Sequence, residues 1–109
     1  MIFAQAQSDS FSGTLRDLSP SGFCAQVPSD TAASLTATLA GGTTIVHPCR
    51  IEFETGVSLS MVVEICHVFP AAGRSTARVG ACFIDLDARS ERALERQVAR
   101  LERARARLR

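Results

Sequence analysis

The chain has 109 residues, 46% of them apolar and 21% charged, a balance that suits one globular domain and argues against disorder. With no Trp, no Tyr and six Phe, it offers few platforms for stacking bases, which speaks against a nucleic-acid polymer as partner. Net charge is +1 but uneven: residues 1–87 hold four Arg and eight acids, whereas residues 88–109 hold eight Arg and three Glu.

Residues 1–7 (MIFAQAQ) alternate weakly and read as a first strand. Phe11, Gly13 and Leu15 then point one way and Ser12, Thr14 and Arg16 the other, the period of two of a half-buried strand. A turn, Asp17-Leu18-Ser19-Pro20-Ser21-Gly22, follows. Phe23, Ala25 and Val27 resume the alternation with Cys24 and Gln26 opposite, and Pro28 ends that strand. Residues 29–44 are rich in Ser, Thr, Ala and Gly and read as a longer connection with one short strand around 35–39. His47, Cys49, Ile51 and Phe53 alternate with Pro48, Arg50 and Glu52 before the tight turn Glu54-Thr55-Gly56. The long strand 57–69 is expected to bury its odd positions, from Val57 and Leu59 through Ile65 to His67 and Phe69. A last strand, 77–84, carries Val79, Ala81 and Phe83 on one face.

Asp87 then caps a helix over residues 88–109, in which no Gly or Pro interrupts Ala, Leu, Glu, Gln and Arg. Leu94, Val98, Leu101 and Leu108 form a narrow apolar stripe with Arg105 in its gap. Packing on the strands is the default for that stripe; a short coiled coil with another chain is the alternative. The order of elements predicts a mainly β fold, a small antiparallel barrel (residues 1–87) with a C-terminal α-helix (residues 88–109), in a single domain spanning 1–109.

Catalytic chemistry has little support. The four cysteines, Cys24, Cys49, Cys66 and Cys82, include no CxxC pair and read as reduced strand or core residues. His47 and His67 both fall on expected apolar faces, without the companions that a metal site needs. Cys66 and His67 are adjacent, so on a regular strand they face opposite ways and make a poor nucleophile–base pair. The chain shows no P-loop, no GxGxxG and no GxSxG elbow. No metal, cofactor or catalytic residue is therefore expected. Without a basic leader or a long apolar run, a cytoplasmic location with no transmembrane segment is expected.

The 17–22 turn is the most informative stretch. Asp17 is suited to accept backbone N–H bonds or the donor edge of a guanine, and Ser19 to reach a phosphate oxygen or the local backbone. Gly22 permits a positive φ and the close approach of a ligand. The segment resembles the D/N-x-S-x-x-G motif of the PilZ domain family, with Asp17, Ser19 and Gly22 matching. Downstream, Glu64-Ile65-Cys66-His67-Val68 looks like the family's V-R-H-V-like strand. Arg78-Val79-Gly80-Ala81-Cys82-Phe83-Ile84-Asp85-Leu86 looks like its R-V-G-x-x-F-x-D-L segment. The Arg-rich end, residues 90–109, is similar to the C-terminal helix of the flagellar-brake branch.

The resemblance implies a six-stranded antiparallel β-barrel of the PilZ type that binds cyclic di-GMP and acts in motility, biofilm or polysaccharide control. It implies a ligand site at Asp17, Ser19 and Gly22, with Ser21, Arg16 and Arg78 beside them. In the family an R-x-x-x-R motif ahead of the turn grips the ligand's phosphates and guanines; residues 1–15 contain no Arg. Two functional readings follow: a cyclic di-GMP module with weakened binding, or an adaptor that binds a protein partner, or itself, through the barrel face or the C-terminal helix.

Overall fold

The computed structural model describes residues 4–8, 11–69 and 74–107. Its elements are β1 (Ala4–Ser8), β2 (Ser12–Leu18), β3 (Gly22–Pro28), α1 (Ser29–Ala40), β4 (Val46–Phe53), β5 (Ser58–Phe69), β6 (Thr76–Ile84) and α2 (Ala88–Arg107). The strands close into an antiparallel barrel in the order β1-β2-β3-β6-β5-β4. The expected six-stranded barrel with a C-terminal helix is the fold observed.

Alternation drives the closure. Leu15, Val27, Ile51, Val63 and Val79 are the inward side chains of five different strands and are almost wholly shielded from water. Burying each contributes roughly 1.5–3 kcal/mol, a large share of what holds the barrel closed. Among the described residues no polar or charged side chain is buried, so polar chemistry is confined to the outer surface. The turn after β4 forms as expected: Gly56 takes φ +90°, its N–H reaches the Phe53 carbonyl at 2.9 Å, and the Phe53 N–H reaches Val57 O at 2.8 Å.

The connection 29–44 departs from expectation. Instead of a short strand around 35–39, it forms the twelve-residue helix α1. Ala32, Ala33, Ala37 and Ala40 favour helix, and Ala32, Leu35 and Leu39 fall at i, i+3 and i+7, a stripe that packs onto the barrel. The Ser and Thr residues that read as loop lie mainly on the solvent side, and Thr38 Oγ1 donates back to the Ser34 carbonyl at 3.1 Å. Ser29 anchors the entry to the helix, its N–H donating to Ser75 O at 2.9 Å and its hydroxyl to Arg74 O at 2.6 Å.

Helix α2 starts as the sequence predicts. Asp87 Oδ1 accepts the Ser90 N–H at 2.7 Å, which holds the Asp87 carboxyl below its usual range. Leu94, Val98 and Leu101 are buried, so over these residues the stripe is spent on the barrel, the default reading. Leu108 lies outside the described residues. Arg100 ties the helix to the β4–β5 turn through Glu54 at 3.7 Å, and its Nε donates to Gln97 Oε1 at 3.2 Å. No described helix is long and apolar enough to cross a membrane.

Cys49 faces the core from β4, and burial pushes its thiol up to about 11 from a usual value of 9.0. The unfolded chain ionises this thiol first as pH rises, so the folded state is expected to lose stability between about pH 9 and 11. Urea midpoints measured across that range, with Cys49→Ala as the control whose alkaline slope is shallower, check this.

Candidate functional site

Two β-bulges shape one patch of the outer barrel wall. In β2, Leu15 pairs with Ala25 and Asp17 with Cys24, leaving Arg16 as the extra residue. In β5, Ile65 pairs with Ala81 and His67 with Gly80, leaving Cys66 as the extra residue. Each bulge shifts the inward phase by one residue. Leu18 and Val68 therefore turn toward the core, while Arg16 and Asp17 stay side by side at the surface.

The β5 bulge overturns three sequence-based expectations. His67 and Phe69 do not face the core: both are exposed, with ring centroids 5.8 Å apart. Cys66 and His67 do not face opposite ways, because both line the same hollow. Nor are all four cysteines reduced, since Cys66 is joined to Cys82 by a disulfide between β5 and β6. Cys24 and Cys49 are free. His47, in contrast, keeps the inward phase expected of it and is half-buried.

The hollow is an open pocket of about 260 Å³. The turn supplies one side of it through Asp17, Ser19, Ser21 and Gly22. Cys24, Gly80 and Cys82 form its floor, and Cys66 and His67 its far wall. Paired positions Asp17, Cys24, Gly80 and His67 form a single row across four strands.

Inside the turn, the Ser19 N–H donates to Gly22 O at 2.9 Å, and the Ser21 N–H donates to Ser19 Oγ at 3.3 Å. The Ser19 hydroxyl lies 3.3 Å from Gly22 O and 3.1 Å from Ser21 Oγ. Asp17 Oδ1 accepts the Leu18 N–H at 3.0 Å, and the Phe83 N–H donates to Ser21 O at 2.9 Å, which pins the turn to β6. Ser19 thus serves its local backbone, one of its two expected roles.

Gly22 is required for a different reason than its backbone angle. Its φ is not positive. A Cβ there would instead run into the backbone carbonyl of Ala81, so glycine is what lets β3 lie this close to β6.

The expected basic pair is near the pocket but not in its lining. Arg16 is exposed and borders a neighbouring groove with Gln26 and Thr76. Arg78 pairs with Gln26 and is exposed on the face that Gly80 shares. Both act on Cys24: burial raises that thiol's pKa, Arg78 opposes the rise, Asp17 adds to it, and Arg16 opposes it more weakly. Among the described residues no group of three or more His, Cys, Asp or Glu is placed to hold a metal ion.

The family model for the PilZ domain matches residues 2–100. The chain belongs to the PilZ domain family. Comparison with curated proteins finds no match. As a PilZ domain it falls among binding and adaptor modules; of its 17–22 segment only residues 19–21 lie between the strands, Asp17 and Leu18 ending β2 and Gly22 opening β3, so the expected turn is shorter than the motif. Sequence reasoning placed the turn but missed Cys66, His67, Gly80 and Cys82 as its neighbours. The outward phase of Cys24 and Cys82 was available from alternation; that of His67 was not, because it depends on the bulge.

Proposed function

We propose that this PilZ domain is a signalling module that takes cyclic di-GMP on the outer barrel wall at the 17–22 turn, in control of motility, biofilm or polysaccharide production in the cytoplasm. The observation that carries the proposal is the convergence of Asp17, Ser19, Ser21 and Gly22 on one open pocket, with Arg16 and Arg78 flanking it. The Asp17 carboxylate suits the N–H edge of a guanine, and the two guanidinium groups suit an anionic phosphodiester. At about 260 Å³ the pocket is smaller than the ~300–1,000 Å³ typical of enclosed ligand sites, so a cyclic dinucleotide would lie across it with most of its surface outside.

Residues 1–15 contain no Arg, so within these 109 residues the arginines beside the turn are Arg16 and Arg78. Two charge-assisted contacts at about 1.5–3 kcal/mol each are worth roughly a hundredfold or more in affinity, so a site held by Arg16 and Arg78 alone would bind that much more weakly than one with an R-x-x-x-R arm as well. The same observation favours a second reading, an adaptor that binds a protein partner rather than the nucleotide. In that reading the barrel face, or the charged outer side of α2, would carry the contact, because Leu94, Val98 and Leu101 are already buried.

Calorimetry with cyclic di-GMP separates the two. The receptor reading expects saturable heat and at least a tenfold loss of affinity in Asp17→Ala, about 1.4 kcal/mol. Absence of heat at high protein concentration overturns it and leaves the adaptor.

A further inference from the structure

Three of the four cysteines of this chain meet at the pocket, from three neighbouring strands. Cys82 is exposed on β6, Cys66 is half-buried at the β5 bulge, and the two are joined. On β3, Gly22 pairs with Cys82 and Cys24 with Gly80, which makes Cys24 a diagonal neighbour of Cys82 on the outer face. The fourth cysteine, Cys49, is in the core. The nucleotide reading uses none of these sulfur atoms.

We infer that the pocket is a thiol–disulfide exchange site, open to a low-molecular-weight thiol, and that the state of the Cys66–Cys82 pair sets the shape of the wall facing the 17–22 turn. Access decides the direction of attack. Cys82 is the more exposed residue of the pair, so an incoming thiolate forms a bond to Cys82 Sγ as the Cys66–Cys82 bond breaks, and the Cys66 thiolate leaves and takes a proton. A second thiol then attacks the mixed disulfide at the small thiol's sulfur. This releases Cys82 as a thiol and leaves the two small thiols joined as their own disulfide, their two electrons having passed to Cys66 and Cys82. Arg78 and Arg16 draw an anionic thiol toward the patch, while Asp17 and Glu64 oppose it; Glu64 pairs with Cys82 across β5 and β6.

The structural consequence follows from the bulge. Cys66 is the unpaired residue that turns His67 outward into the pocket wall, and the disulfide ties that residue to β6. Once reduced, the bulge keeps its backbone pairing on either side but loses its covalent tie. The wall made by Cys66 and His67 is then free to rearrange relative to the floor at Gly80 and Cys82, without any demand on the core.

The test uses the full chain, purified without reductant, with reduced glutathione as probe and no nucleotide, so it stands apart from the cyclic di-GMP experiment. Expected is reduction of the Cys66–Cys82 pair in the folded protein, seen by alkylation and mass spectrometry, with an unchanged far-ultraviolet circular dichroism spectrum. Amide resonances of Ser19, Gly22 and Gly80 are expected to shift on reduction while those of α1 stay in place. In Cys66→Ser, with Cys66→Ala as second variant, oxidised glutathione is expected to form a mixed disulfide on Cys82 at least about tenfold faster than on Cys49, as access dictates. Reduction that occurs only in denaturant, reduction that unfolds the barrel, unmoved pocket resonances, or equal rates at Cys82 and Cys49 would each overturn the inference.

Discussion

Gly22→Ala is expected to lower folding stability by about 3 kcal/mol, the upper part of the range for overpacking a tight interior contact. The added methyl has nowhere to go, because the obstacle is the Ala81 backbone carbonyl rather than the end of a flexible side chain. Relief requires β3 and β6 to separate where Gly22 pairs with Cys82 and Phe23 with Ala81. Urea unfolding should show a lower midpoint with an unchanged slope, the signature of lost stability without a change in what unfolds. Gly42→Ala is the informative contrast. Gly42 has φ +84° and open space around its Cβ position, so its cost is backbone strain alone, about 1–2 kcal/mol. If Gly22→Ala costs no more than Gly42→Ala, the close strand approach is not what glycine provides at the turn.

Leu94→Ala is expected to cost about 2–5 kcal/mol, the range for truncating a fully buried leucine. Leu94 is 0% exposed, the first and most deeply buried residue of the stripe that holds α2 to the barrel. The remaining anchors are Val98, Leu101 and the partly exposed Arg100–Glu54 pair, and a partly exposed ion pair of this kind contributes less than about 1 kcal/mol. Hydrogen exchange should therefore speed up in α2 more than in the six strands, alongside a fall in the urea midpoint. Arg96→Ala, on the exposed side of the same helix, should change stability by no more than about 0.5 kcal/mol. Equal, small effects for the two variants would mean that α2 is not docked through its apolar stripe.

Both variants probe features with different visibility in the sequence. The stripe Leu94, Val98 and Leu101 is a local pattern, readable because helical period and burial agree. The Asp87 cap is readable for the same reason, since its partner Ser90 lies three residues away. The strand phases from Phe11 to Leu15, Phe23 to Val27 and Met61 to Ile65 also hold, each with its apolar side inward. Within 29–44 local evidence conflicted: Ser and Thr suggested a loop, and helix α1 is decided by Ala32, Leu35 and Leu39 having a barrel surface to cover.

The six barrel strands, the chain reversals after β2 and β4, and the capped final helix were legible locally, because each depends on residues within a few positions of one another. The sequence also carried the motif residues Asp17, Ser19 and Gly22 in their order. Which residues share the pocket depends on the pairing of strands distant in the chain. A bulge is an extra residue relative to a partner strand, so Arg16 and Cys66 are defined as bulges only once β2 is set against β3 and β5 against β6. The β5–β6 pairing turns His67 outward and brings Cys66 to Cys82, and the β3–β6 pairing lays Gly22 against Ala81, three relationships between segments that no single strand's alternation contains.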